Sequence, residues 1–129
     1  MTGERGQAIL VVVLALGIAT TAIVGLRAAQ DRIVAGAREL RAGEAAVEAA
    51  AQSVADVYVT HPADAKQLVL DPRVLEVARA AAEDLARENG GSGVERLEIA
   101  CAGDRIEARL TFRGLPHHAG FRAPECSPP

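Results

Sequence analysis

Gln7–Leu26 reads QAILVVVLALGIATTAIVGL, a run of twenty residues lying in the uncharged stretch between Arg5 and Arg27. Wound as a helix at about 1.5 Å per residue, it spans ~30 Å, the hydrocarbon thickness of a bilayer. A surface helix of a soluble domain carries charges along one face, and this stretch has none. A helix also satisfies its own backbone hydrogen bonds, as lipid demands. The run therefore predicts a transmembrane helix over 7–26, preceded by a short N-terminal segment over 1–6. A cleaved secretory signal fits less well, because its apolar region is usually about 7–15 residues long. A cut after Ala29 would also put Arg27 three positions before the break, where a small residue is preferred.

Basic residues flank the span on both sides: Arg5 before it, and Arg27, Arg32 and Arg38 after it. The positive-inside rule, taken alone, puts the C-terminal part in the cytoplasm. Within the span Gly17, Thr21 and Gly25 recur every four residues, so their small side chains share a stripe where a second helix can approach closely.

Beyond the span, residues 27–60 are rich in Ala, Glu and Arg, good helix formers, and contain no proline. Ile33, Ala37, Leu40, Val47, Ala51, Val54 and Tyr58 recur at helical intervals, interrupted by Glu44, and form a narrow apolar seam. The seam needs a partner, either the rest of this chain or a neighbouring copy. With no turn signal between span and seam, one helix of about 75–80 Å is expected from near Gln7 to near Val59. Gly36 and Gly43 are expected bending points, and His61-Pro62 the stop.

A small α+β head is expected over 61–113. Its helix starts at Asp71-Pro72, an N-cap followed by proline, and presents Val74, Leu75, Ala78, Ala81, Ala82 and Leu85 on one face. Asn89-Gly90-Gly91 supplies its stop. Leu97, Ile99 and Cys101 then alternate with Arg96, Glu98 and Ala100, and Ile106, Ala108, Leu110 and Phe112 with Glu107, Arg109 and Thr111, with a turn around Ala102-Gly103-Asp104. That is the pattern of a two-stranded antiparallel hairpin with one apolar face, which must lie on a helix to be stable. Residues 114–129 are Pro- and Gly-rich and are expected to form an extended tail.

Tyr58, Phe112 and Phe121 are the only aromatic residues and there is no Trp, so the core must be built from Ala, Val and Leu. With 14 basic against 17 acidic residues, the net charge of −3 offers no phosphate-binding surface, and nucleic acid is not an expected partner. Cys101 and Cys126 are too few for a disulfide framework; they form one bridge in an oxidising compartment or remain separate thiols. No catalytic grouping, cofactor motif or metal-ligand spacing is present. His117, His118, Glu125 and Cys126 match no established metal site, and Gly90-Gly91-Ser92-Gly93 follows a helix instead of opening one, the reverse of a phosphate cradle. A non-enzymatic role is expected.

The layout, with Glu4-Arg5-Gly6-Gln7-Ala8 running into the apolar span, then an Ala-rich helix closing at Glu88-Asn89-Gly90-Gly91 and a hairpin carrying Cys101, resembles the TadE/TadG-like proteins of the tight-adherence (Flp) pilus and related secretion systems. The resemblance implies a pilin-like plan: a single-pass anchor in the cytoplasmic (inner) membrane, an extracytoplasmic head, and other pilin-like or pilus-assembly subunits, or further copies of the chain, as partners alongside the bilayer. Some members are cut by a prepilin-type peptidase after a glycine, which here points to Gly6 and Gln7. Those members carry glutamate at the fifth mature position, where this chain has Val11, so an uncleaved assembly component is expected. The contrasting expectation is a membrane-tethered module whose head binds an envelope component, with the helix a passive stalk.

Overall fold

The computed structural model describes residues 3–61, 65–91 and 93–127. Helix α1 (Gly3–Thr60) is the continuous helix expected from the absence of any turn signal. It ends with the His61 amide bonded to the Tyr58 carbonyl at 3.0 Å; Pro62, the expected stop, lies outside the described residues. The chain forms two compact units, Met1–Gly36 and Ala37–Pro129. The fold class is α+β, as expected.

In the first unit α1 is exposed throughout the described side chains. The large apolar residues from Ile9 to Leu26 stand 55–69 % open. Gly6–Thr60 contains a segment long and apolar enough to cross a membrane, near the N-terminus.

The second unit is built on a three-stranded antiparallel sheet, β1 (Val94–Ala102), β2 (Arg105–Phe112) and β3 (Leu115–Arg122), in the order β1-β2-β3. The first two strands are the expected hairpin. The third replaces the expected extended tail, so the hairpin is two strands of three. β3 alternates like the others, with His117, Ala119 and Phe121 facing the core side and Pro116, His118 and Arg122 on the other; its register sets Leu110 opposite His117 and Ile106 opposite Phe121. Pro116 is tolerated because β3 is an edge strand, where a missing N–H breaks no ladder bond. Arg113 and Gly114, with φ of 50° and 76°, make the two-residue turn between β2 and β3; positive φ at both positions is what a primed hairpin turn requires.

Helix α3 (Pro72–Glu88) is bounded as its caps dictate. The Asp71 side chain accepts from the Arg73 amide at 2.9 Å, and Gly90 (φ 76°) and Gly91 donate to the carbonyls of Arg87 and Ala86, closing a Schellman motif. Its buried row is Val74, Ala78, Ala82 and Ala86, with Leu75, Ala81 and Leu85 half-buried beside it. A one-turn helix, α2 (Ala65–Leu68), precedes it, with Ala65 and Leu68 buried. The core joins the inner faces of the sheet and α3 to one side of α1, where Ala42, Ala46 and Ala50 are fully buried. Small side chains let the main chains approach closely in a core whose one large fully buried aromatic residue is Phe112.

Candidate functional site: an open helix face and a latched head

The small-residue stripe of α1 is unobstructed. A Cβ added at Gly17 or Gly25 would meet nothing within 4 Å, and Gly17 and Thr21 line a shallow apolar groove with Leu10, Val13, Leu14 and Ile18. The Thr21 hydroxyl donates to the Gly17 carbonyl at 2.6 Å and Thr20 bonds back to the Leu16 carbonyl in the same way. Both hydroxyls are thereby satisfied inside the helix, which suits an apolar medium with no water to offer. Gly6 and Gln7 are exposed within α1.

The seam expected from Ile33 to Tyr58 divides in two. Val47, Ala51 and Val54 are buried in the head core and Tyr58 is half-buried, so this half finds its partner in the same chain. Ile33, Ala37 and Leu40 remain exposed. The buried face is also turned toward Ala42, Ala46 and Ala50, which a search for large apolar residues passes over; Glu44, the interruption, lies outside it and is exposed.

Gly43 is a packing position where a bend was expected. A Cβ there would overlap the His117 imidazole, with Cε1 at 2.6 Å. His117, expected in a solvated tail, is 7 % exposed, and its Nε2 is buried with no hydrogen-bond partner among the described residues. The signal that identifies it is the alternation Leu115, His117, Ala119, Phe121; Pro116 and Gly120 obscured it. His118 is exposed on the opposite face of the strand, so the two histidines do not converge. Among the described residues no three His, Cys, Asp or Glu side chains are grouped to hold a metal ion.

Cys101 and Cys126 are joined, with Cα atoms 5.4 Å apart, tying the end of β1 to a 3-10 turn (Pro124–Cys126). The same turn is held to the end of α1: the Tyr58 hydroxyl donates to Glu125 Oε2, and the Tyr58 and Phe121 rings lie 5.4 Å apart at 50°. That hydrogen bond lowers the Glu125 carboxyl below its ordinary value, helped by a bond from its own backbone and opposed by partial desolvation. It raises Tyr58 above its ordinary value, with desolvation and the carboxylate charge acting in the same direction. At the β2–β3 turn, Arg113 pairs with Glu39 of α1. The head is thus fastened to its own helix at both ends.

Comparison with protein-family models, with curated proteins and with solved structures gives no match for this chain.

Proposed function

We propose that the protein is a membrane-anchored structural component of a Flp/tight-adherence pilus or related secretion assembly, working by helix packing with other small membrane subunits. The observation that carries this reading is the exposed apolar surface of α1 from Ile9 to Leu26 with a gap in it at Gly17 and Thr21. Lipid covers the apolar side chains, and the gap admits the backbone of a neighbouring helix, where association comes from close van der Waals contact. Exposed Ile33, Ala37 and Leu40 extend the same kind of contact beyond the span. The span and the order of parts support the single-pass anchor and the resemblance to TadE/TadG-like proteins. Support for a head outside the cytoplasm comes from the Cys101–Cys126 bond, a linkage that persists in oxidising compartments; the inner membrane is what the resemblance implies. Retention of an uncleaved N-terminus follows from Val11 standing where processed subunits carry an acid.

Gly17→Leu together with Gly25→Leu tests the role. The double variant is expected to reach the membrane in normal amount yet lose the small membrane subunits that copurify with the native protein. Unchanged copurification contradicts the packing role.

A further inference from the structure

Among the described residues His117 is the only buried polar or charged side chain, and its Nε2 is the only buried side-chain nitrogen or oxygen without a partner. A Cβ built on Gly43 would meet Nε2 first, then Cε1 at 2.6 Å and Cδ2 at 2.7 Å, so the Nε2 corner of the imidazole faces the main chain of α1. Gly43 lies inside a continuous helix, where carbonyls are taken by amides four residues on, and no acceptor reaches that corner. A bare lone pair can rest against a Cα–H there, whereas an N–H would be left without an acceptor. The neutral ring therefore carries its proton on Nδ1. His117 is also what holds its half of β3 to the helix: from Leu115 to His118 it alone is buried, and Leu115, Pro116 and His118 are exposed.

We propose that His117 is a proton-operated catch between β3 and α1, closed while the imidazole is neutral and released in mild acid, when the imidazolium leaves Gly43 for Glu44 and Glu48. The step is the uptake of one proton at Nε2. Inside, the new N–H has no acceptor, and an ionised ring without a partner is far more costly to bury than a neutral one. Outside, a cavity of about 350 Å³ adjoins His117, and Glu44 and Glu48 of α1 are exposed around it with no ion pair among the described residues. A carboxylate there accepts a charge-assisted bond from the emerging ring. The remaining charge of α1 at this level, Glu39, is taken by Arg113. On β1 and β2 the charged neighbours Arg96, Glu98, Glu107 and Arg109 lie on the outer face of the sheet with His118, away from the buried Ala108 and Leu110. Imidazole ordinarily takes up its proton near about pH 6.5 and glutamate near about 4.3, so a cationic ring and charged carboxylates coexist between about pH 5 and 6. The closed form is held above that window and is lost as pH falls into it. Phe121 on Tyr58 and the Cys101–Cys126 bond keep the far end of the head in place, so the opening is local to Gly43. The catch lies wholly in the head and is independent of packing in the membrane.

The full chain in lipid nanodiscs, labelled at histidine and glycine, is followed by NMR from about pH 7.5 down to about pH 5. At the upper end His117 is expected to show a protonated Nδ1 and a bare Nε2, with through-space contact between its ring protons and the Gly43 α-protons. At the lower end that contact is expected to weaken about threefold or more as the ring becomes cationic, while the contact between the Tyr58 and Phe121 rings persists. Glu44→Gln with Glu48→Gln removes the outside acceptors and moves the midpoint of opening down by about half a pH unit or more, and His118→Gln leaves it where it was. The proposal is overturned by a ring protonated on Nε2 at neutral pH, by a His117–Gly43 contact that survives at the lower pH, or by a midpoint insensitive to the Glu44 and Glu48 changes. Loss of the Tyr58–Phe121 contact over the same range also overturns it, since the whole head then unfolds and no local catch is at work.

Discussion

The contact between Gly43 and His117 depends on a missing methyl group. Gly43→Ala places a Cβ on the imidazole, and the strand or the helix must shift to relieve it. Overpacking of this kind costs about 1–3 kcal/mol, and chemical unfolding of the head is expected to show a loss in that range. His117→Ala in the same background should recover part of it, a non-additivity of about 1 kcal/mol marking direct contact. Additive losses contradict the packing described for this pair. A second residue-scale prediction concerns Tyr58 and Glu125. Because the folded value of Glu125 is lowered, the stability contributed by their hydrogen bond is present above the ordinary carboxylate value of 4.5 and is lost as pH falls through the lowered folded value. Because Tyr58 is raised, the contribution is present below 10.0 and is lost as pH rises through the higher folded value. Tyr58→Phe is therefore expected to flatten the stability profile at both extremes while changing little else, since the pair is solvent-screened. A profile identical to that of the native protein contradicts a role for the bond.

At the scale of elements, the disulfide closes a loop with a sequence separation of 25 that contains all of β2 and β3. Replacing Cys101 and Cys126 by alanine is expected to cost about 2–4 kcal/mol in denaturant unfolding, and reduction of the native protein should produce a comparable loss. No change on reduction would mean that the linkage does not support the head. The elements read correctly from the sequence are those whose signals are local. Helix α3 is bracketed by Asp71-Pro72 and Asn89-Gly90-Gly91, β2 alternates without interruption, and β1 alternates from Leu97 onward, past a register shift between Val94 and Arg96. Strand β3 was hidden because Pro116 and Gly120 are rare in strands, and an edge strand is where such residues survive. On the buried face of α1, Ala42, Ala46 and Ala50 were passed over beside Val47, Ala51 and Val54, because alanines bury little area each and carry weight only once a sheet is packed on them. Periodicity identifies a face but not the element that covers it, which is why the seam from Ile33 to Tyr58 divided between open and buried halves. Of the candidate site, the Gly17, Thr21 and Gly25 stripe was legible as spacing; the contacts of Gly43 and the latch of Tyr58 on Glu125 depend on chain segments about seventy residues apart meeting in space.

For the whole molecule, the two units ask for different surroundings. Residues 37–129 hold a core of buried apolar side chains between a sheet, two helices and part of α1. Residues 1–36 bury none of the described ones, leaving eleven large apolar side chains from Ile9 to Leu26 open. An apolar surface of that extent is not left to water, since each such side chain loses about 1.5–3 kcal/mol of burial when it stays exposed. The helix is long and apolar enough to cross a membrane, and the proposed role depends on its doing so. The direct measurement is fractionation of cells expressing the full chain: lysis without detergent, high-speed sedimentation and an alkaline carbonate wash, followed by detergent. The protein is expected to stay in the membrane pellet through the wash and to enter solution only with detergent. Recovery of the intact chain as a soluble species before detergent is added would contradict the anchor and the function built on it.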